Sequence, residues 1–379
     1  MHIGFLTPEY PGTKTGQSGG LGTSIYNLAH ALVKSGHGVS VFVYGQSGDE
    51  YFEESGIRFY RIRNIRLKGL SWWLSRRKVE NVIRAANLDI LEVPDWTGFS
   101  AWMNINCPVV MRLNGSDTYF CTIENRPTKW WNRLQEKTAY RQADKIIAVS
   151  DYTGKKTNEL FGVSHSYTVI PNSIDTSAFY TGRSISVDKP IILYFGTLIR
   201  KKGVLDIPAI FNRVVSQIPD AQLVLAGTDA RDIQTGNPST WALIKPLFTE
   251  EAFARVDYLG KKTYAEIHAL IEQAQVCIFP SYAEALPVSW LEAMAMGKAI
   301  VASDIGWAKE MMTHEKEALL CYPAHHDVFA KQIIRLLNDS DLRNRLGTQA
   351  RKRIGQQFDN LVVVNQNIEL YRNAIHEYR

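Results

Sequence analysis

The chain has 379 residues, of which 45% are hydrophobic and 21% charged, with a formal net charge of +5. That length holds two domains with two cores, and the composition is that of an ordinary soluble globular protein. No run of about 18 apolar residues exists to span a bilayer, the charge is modest with no nucleic-acid-binding motif, and Cys107, Cys121, Cys277 and Cys321 form no C-x-x-C pair.

Short apolar runs alternate with helical periodicity along the whole chain. The N-terminus, M-H-I-G-F-L-T-P-E-Y, gives a strand at His2–Leu6 and then polar residues, unlike a signal peptide, so a cytoplasmic location is expected. Further strands are expected at Val39–Tyr44, Ile57–Arg61, Ile90–Val93, Val109–Leu113, Lys145–Val149 and Tyr167–Ile170, with helices such as Thr23–Lys34, Trp73–Ala86 and Trp130–Gln142. Periodicity fails over Asp175–Pro190, the expected linker. The scheme then repeats with Ile191–Phe195, Leu223–Ala226, Val256–Leu259, Val276–Phe279 and Ile300–Ala302. Such alternation gives α/β domains with parallel sheets, which bind ligands beyond the carboxyl ends of their strands.

Glycines recur after the first strand, in P-E-Y-P-G-T-K-T-G-Q-S-G-G-L-G-T. A dinucleotide fingerprint would need G-x-G-x-x-G immediately after the strand; here a long Pro-containing loop intervenes. After the strand at Val276–Phe279 comes P-S-Y-A-E-A-L-P-V-S-W-L-E-A-M-A-M-G-K. Pro287 suits the start of a helix, whose free amides and dipole favour a phosphate. Eight helical residues would rise about 12 Å, placing Glu284 and Glu292 against different parts of an elongated ligand.

This segment resembles the E-x7-E signature of retaining glycosyltransferases of the GT-B fold, glycosyltransferase family 4 type. The resemblance implies two Rossmann-like domains with parallel sheets facing a central cleft: residues 1–180, with helix 362–379 crossing back, for the acceptor, and residues 181–361 for a nucleotide-sugar donor. The crossing helix is placed at Asn365–Tyr378. By the same resemblance Glu292 holds ribose, Glu284 lies beside the transferred sugar, and Ala285, Leu286, Pro287 and Val288 receive the diphosphate. S-G-G-L-G looks like the family's glycine loop, with Gly19 and Gly20 facing the donor phosphates.

F-G-T-L-I-R-K-K-G-V resembles a third family segment, in which an Arg usually follows the first Gly and a Lys precedes the second. Lys202 matches the Lys, whereas Thr197 after Gly196 replaces the Arg, and Arg200 and Lys201 are the nearby cations that can compensate. A departing nucleoside diphosphate gathers negative charge, and fixed cations stabilise that charge. No metal is expected, nor any cofactor beyond the nucleotide sugar itself as co-substrate. V-V-M-R-L-N-G-S-D resembles an acceptor-side segment with Asn114 in place of the family's His; Asn cannot titrate. Asp95 and Trp96, and the Trp130–Trp131 pair, complete the expected acceptor side.

The implied reaction is retaining transfer of a hexose to a hydroxyl of a glycan, lipid-linked or small-molecule acceptor. The alternatives are a nucleotide-sugar isomerase on the same fold and a catalytically idle sugar-nucleotide-binding module. Asp339–Asp341 mimics a metal-binding D-x-D but reads as a helix cap, and His325–His326 lacks neighbouring ligands for zinc. Arg61, Arg63, Arg66, Lys68, Arg76, Arg77 and Lys78 crowd a segment without acids that carries Trp72 and Trp73. Such a segment can meet the inner face of a membrane; the preferred reading is a solvated helix whose tryptophans pack on the sheet.

Overall fold

The structure is a computed structural model that describes residues 1–16, 18–67, 70–179 and 189–378. The chain forms two compact units, Met1–Ile174 together with Phe358–Arg379, and Asp175–Gln357. Lys68 of the basic segment and residues 180–188 of the expected linker lie outside the described residues. The units exchange at Ile174 and Phe358 rather than at 180 and 361, because these two residues pair: Ile174 N–H donates to the Phe358 carbonyl at 2.9 Å.

The first unit carries β1 (His2–Thr7), β2 (Gly38–Gln46), β3 (Glu50–Glu54), β4 (Ile57–Arg63), β5 (Ile90–Pro94), β6 (Val109–Leu113), β7 (Lys145–Ala148) and β8 (Thr168–Val169), in the spatial order β3-β4-β2-β1-β5-β6-β7-β8. Its helices are α1 (Gly20–Lys34), α2 (Ser71–Ala85), α3 (Asp117–Ile123), α4 (Trp130–Gln142) and α5 (Asp151–Phe161). All pairings are parallel except β3 with β4. Ile25, Leu28 and Leu32 of α1 cover one face, and Val79 and Ile83 of α2 with Tyr140 of α4 cover the other. Helix starts follow side-chain caps: Ser116 accepts from Tyr119 N–H and Ser150 from Thr153 N–H.

Strand β3 is absent from the sequence expectations. Its acids, Glu50, Glu53 and Glu54, suggest a loop, but Ser55 and Gly56 both take positive φ and close a tight hairpin. Phe52 then stacks on Phe59 at 4.9 Å, so aromatic pairing holds the edge strand.

The second unit carries β9 (Ile191–Phe195), β10 (Gln222–Ala226), β11 (Val256–Tyr258), β12 (Val276–Phe279), β13 (Ala299–Ser303) and β14 (Leu319–Cys321), ordered β11-β10-β9-β12-β13-β14 and wholly parallel. Helices α6 (Ile207–Val215), α7 (Thr240–Ile244), α8 (Glu250–Phe253), α9 (Tyr264–Gln273), α10 (Val288–Ala295), α11 (Ala308–Met311), α12 (His326–Asn338) and α13 (Ser340–Gln357) follow in chain order. Phe211 of α6, Phe329 and Ile333 of α12 and Leu346 of α13 fill its core. Asp339 caps α13 by accepting from Leu342 N–H at 2.8 Å. Among the parallel strands of each sheet the order reverses direction once, between β1 and β5 and between β9 and β12. Those reversals leave crevices at the carboxyl ends, where such folds bind ligands.

Helix α14 (Asn360–Tyr378) packs on the first unit through Val363, Val364, Ile368 and Tyr371. A buried polar network anchors it there. Arg112 on β6 donates twice to Glu92 on β5, at 2.7 and 2.9 Å, and also to Asn367 of α14. Tyr371 adds a bond to Glu92 at 2.5 Å. With every member at most 4% exposed, the network is satisfied by its own groups, as a buried ion pair must be.

Candidate active site

At the β9–β12 reversal two loops are locked together. Gly203 takes φ +67°, and a Cβ there would lie 1.8 Å from the Pro280 carbonyl oxygen, so only glycine permits this approach. Tyr282 and Ala283 N–H donate to the Lys201 carbonyl at 2.8 and 3.2 Å. The loop after β9 thereby sets the loop after β12. Gly196 N–H bonds to Ala226 O at 2.9 Å, and the Thr197 carbonyl accepts from the buried Tyr194 hydroxyl at 3.0 Å.

Arg200, Lys201 and Lys202 form one tight turn whose side chains diverge. Lys202 Nζ lies 2.8 Å from Glu284 Oε1. Arg200 instead makes a two-pronged bond to the buried Asp232, at 2.9 and 2.8 Å. That guanidinium holds the Asp232 carboxyl well below the usual carboxylate range. Lys202 thus pairs with Glu284, while Arg200 pairs with Asp232.

Ala285, Leu286, Pro287 and Val288 are buried, and α10 begins at Val288 with Pro287 as its extended cap residue. Glu284 precedes the helix and Glu292 lies within it, so the rise expected for eight helical residues does not apply. One cation reaches both acids. Burial pushes the Glu292 carboxyl up to about 8, and the charge of Lys202 pulls against that rise. Trp290 packs between Phe279 and Trp307, at 5.8 and 6.4 Å, and fixes the roll of α10.

In the first unit the glycine turn belongs to α1 itself, with Gly19 as cap and Gly20 as first residue. Glu9 Oε1 accepts from both Gly19 N–H, at 2.9 Å, and Gly22 N–H, at 3.0 Å. Thr7 fixes Glu9 through bonds to its carbonyl and its N–H, at 2.7 and 3.2 Å. Two of the amides at this helix start are thus held by the chain's own carboxylate.

Beyond β5, Asp95 accepts from Asn114 N–H at 3.1 Å and Gly115 N–H at 3.0 Å. Burial pushes its carboxyl up to about 8. Glu136 of α4 likewise receives Asp117 and Thr118 N–H, at 2.9 and 3.0 Å, at the start of α3. Trp96 is 38% exposed beside Asp95. Trp130 and Trp131 sit apart from these bonds, in a cluster with Trp72 and Trp102.

The basic segment is less basic at the surface than its composition suggests. Arg76 is buried, bonded to the carbonyl of Gly98 at 2.9 Å and to Gln135 at 2.6 Å. Asp49 takes Lys78 and Glu50 takes Arg61, each at 2.6 Å, acids supplied by the unforeseen β3 hairpin. Trp72 and Trp73 do not pack on the sheet as expected: Trp72 stacks on Arg76 at 3.6 Å and Trp73 is exposed. No described helix is long and apolar enough to cross a membrane.

Residues 182–353 match the family model for glycosyl transferases group 1, and residues 18–178 match that for glycosyltransferase family 4. The chain belongs to the family 4 type of glycosyltransferases. This glycosyltransferase is 25% identical over 399 residues to an uncharacterised glycosyltransferase of Methanocaldococcus jannaschii, covering 99% of both chains. It is 24% identical over 412 residues to a glycogen synthase of Mycobacterium tuberculosis, covering 99% of this chain and 95% of the relative. Among solved structures, sucrose-phosphate synthase from Thermosynechococcus elongatus superposes with TM-score 0.83 at 21% identity, over 100% of both chains. Anabaena HepE in complex with UDP-glucose superposes with TM-score 0.78 at 20% identity, over 98% of this chain and 100% of that one. These likenesses give the GT-B fold.

Glu9, Asp232, Tyr194 and Glu136 escaped the sequence reading. Each acts on main-chain groups or on another side chain far along the chain, and single acids carry no spacing signal.

Proposed function

We propose that this glycosyltransferase moves a hexose from a nucleotide-diphosphate sugar to an acceptor hydroxyl with retention of configuration. The observation that carries the reading is the single lysine, Lys202, that pairs with Glu284 and also acts on Glu292. Solved relatives of the same fold that hold UDP or UDP-glucose support a nucleotide-sugar donor.

In this reading Glu292 accepts the ribose hydroxyls, while Lys202 and the first amides of α10 face the diphosphate. The bond from the sugar's anomeric carbon to the phosphate oxygen breaks, and the acceptor oxygen bonds to that carbon. The acceptor's proton passes to the leaving phosphate. Glu284 orients the sugar and offsets charge developing at its ring, while Lys202 offsets charge developing on the leaving group. Asp95 and Asn114 serve the acceptor in this reading.

Thermal melting with UDP, GDP or ADP, and with pyrophosphate as control, tests the donor site. A ligand at a hundred times its Kd adds about 2.7 kcal/mol. A shift with one nucleotide that disappears in Glu292→Ala supports the reading. No shift with any nucleotide overturns it.

A further inference from the structure

Loops that follow β9, β12 and β14 of the second unit converge on the carboxylate of Asp206. Asp206 itself stands at the start of α6, and its N–H donates to the Gly203 carbonyl at 3.0 Å, next to Lys202. An aspartate in this position ordinarily caps the helix it precedes. Here its side chain makes no cap bond and turns instead to the other loops. His326 Nε2, in the first turn of α12, lies 2.7 Å from Asp206 Oδ1. The Tyr282 hydroxyl, from the loop after β12, donates to Asp206 as well. Burial first, and then the Asp206 charge, push the Tyr282 phenol well above its ordinary range, so it stays a donor. Tyr322 packs edge-on against Tyr282 at 6.3 Å, and His325 against Tyr322 at 5.3 Å.

Tyr282 belongs to the stretch that leads into Glu284. Its N–H and that of Ala283 donate to the Lys201 carbonyl, and Ser281 Oγ donates to Glu284 Oε1 at 3.4 Å. The main-chain bonds fix one end of Tyr282 beside Lys202, and the hydroxyl bond fixes the other end on Asp206. The side chains of His326 and Asp206 are 28% and 19% exposed, and a polar pair so open to water adds little to stability. What the pair supplies is direction. Asp206, held by an N–H of His326, gives the Tyr282 hydroxyl one place to point.

We propose that Asp206, Tyr282 and His326 are positioning residues that hold the Lys202–Glu284 pair in register with the donor diphosphate. The inference rests on the donor reading given above, in which Lys202 faces that diphosphate. A lysine ammonium is a point charge on a flexible stem, and it offsets phosphate charge well only when its main chain and its partner are both held. The turn at Arg200–Lys202 holds the main chain, and Glu284 is the partner. The network on Asp206 ties the segments that carry them to each other and to α12. From His326 this asks only for an N–H, which a glutamine amide can also supply.

The test is melting of the full chain and its variants with UDP, GDP or ADP, whichever shifts the wild type, against the matching monophosphate. Shifts convert to affinities, and the advantage of diphosphate over monophosphate isolates the phosphate group assigned to Lys202. In His326→Ala and in Tyr282→Phe the diphosphate should bind about tenfold more weakly and the monophosphate within about twofold of the wild type, the effect of one loosened charged hydrogen bond. His326→Gln should keep the diphosphate within about threefold. In a Lys202→Ala background His326→Ala should change nothing further, because the group it acts through is gone. A merely structural network would lower the melting temperature and leave the diphosphate advantage intact, and that result overturns the proposal. So does a loss in His326→Gln equal to that in His326→Ala, or an additive effect in the Lys202→Ala background. Tyr282→Phe removes a single oxygen and decides the matter should His326→Ala fail to fold. A wild type that responds to no nucleotide overturns the donor reading and this inference with it; a normal wild-type response with unchanged variants overturns this inference alone.

Discussion

Lys202 Nζ and Glu284 Oε1 stand 2.8 Å apart, and the same ammonium is the charge that opposes burial at Glu292. Removing it takes away the ammonium 2.8 Å from Glu284, which is 8% exposed, and leaves Glu292 with burial alone. Lys202→Ala should lower kcat about a hundredfold or more, as for loss of one group that stabilises transition-state charge. Steady-state kinetics against donor concentration check this, and near-normal turnover would remove Lys202 from the mechanism.

Glu292 should make stability depend on pH. Its carboxyl keeps a proton up to about 8 in the folded chain, whereas the unfolded chain releases it near the ordinary glutamate value. Within that window the folded state binds more protons, so stability falls as pH rises. Glu292→Gln abolishes the effect. Its melting temperature should exceed the wild type's increasingly from about pH 5 to about pH 8, with no gain at about pH 4. The same variant should lose the nucleotide-induced melting shift, a gain in stability made at the expense of binding.

Asp95 offers two oxygens to two N–H groups. In Asp95→Asn one oxygen becomes an amide donor facing another donor, which costs about 1–3 kcal/mol locally. Because the displaced turn carries Asn114, kcat should fall roughly tenfold or more while the nucleotide melting shift stays near the wild-type value. An equal loss of both would tie Asp95 to folding instead.

Glu9 separates geometry from charge, since a single oxygen receives both glycine amides. A glutamine can supply that oxygen and alanine cannot. Glu9→Ala should lower kcat/KM roughly tenfold, and Glu9→Gln should stay within about threefold of the wild type. If Gln is as poor as Ala, the negative charge itself matters at the start of α1.

The alternation of strands and helices was legible because each buried parallel strand reads as a short apolar run. The loop at Glu284 was legible because proline, two acids and a helix ending in glycine fall in one unbroken string. Other features depend on distant partners. Nothing near Arg76 in sequence announces that Gly98 and Gln135 will bury its guanidinium. Arg200 looked like a free cation because Asp232, its partner, lies on another loop. Hairpin β3 was hidden by its own acids, which turned out to be the counter-charges of the basic segment. Composition counts charges, and only the fold says which of them cancel.

Helix α14 belongs to the first unit but is synthesised after the whole of the second. During translation Arg112 and Glu92 can pair, yet the acceptor Asn367 and the donor Tyr371 arrive only with α14. Domains usually complete in the order they emerge; here the second unit can close its core while the first still shows the apolar face that Val363, Val364 and Ile368 will cover. A chain interrupted before Asn360 would hold a complete second unit beside a first one with an open, sticky face. Such a product is a natural substrate for chaperones and proteases, so the arrival of α14 divides finished molecules from discarded ones.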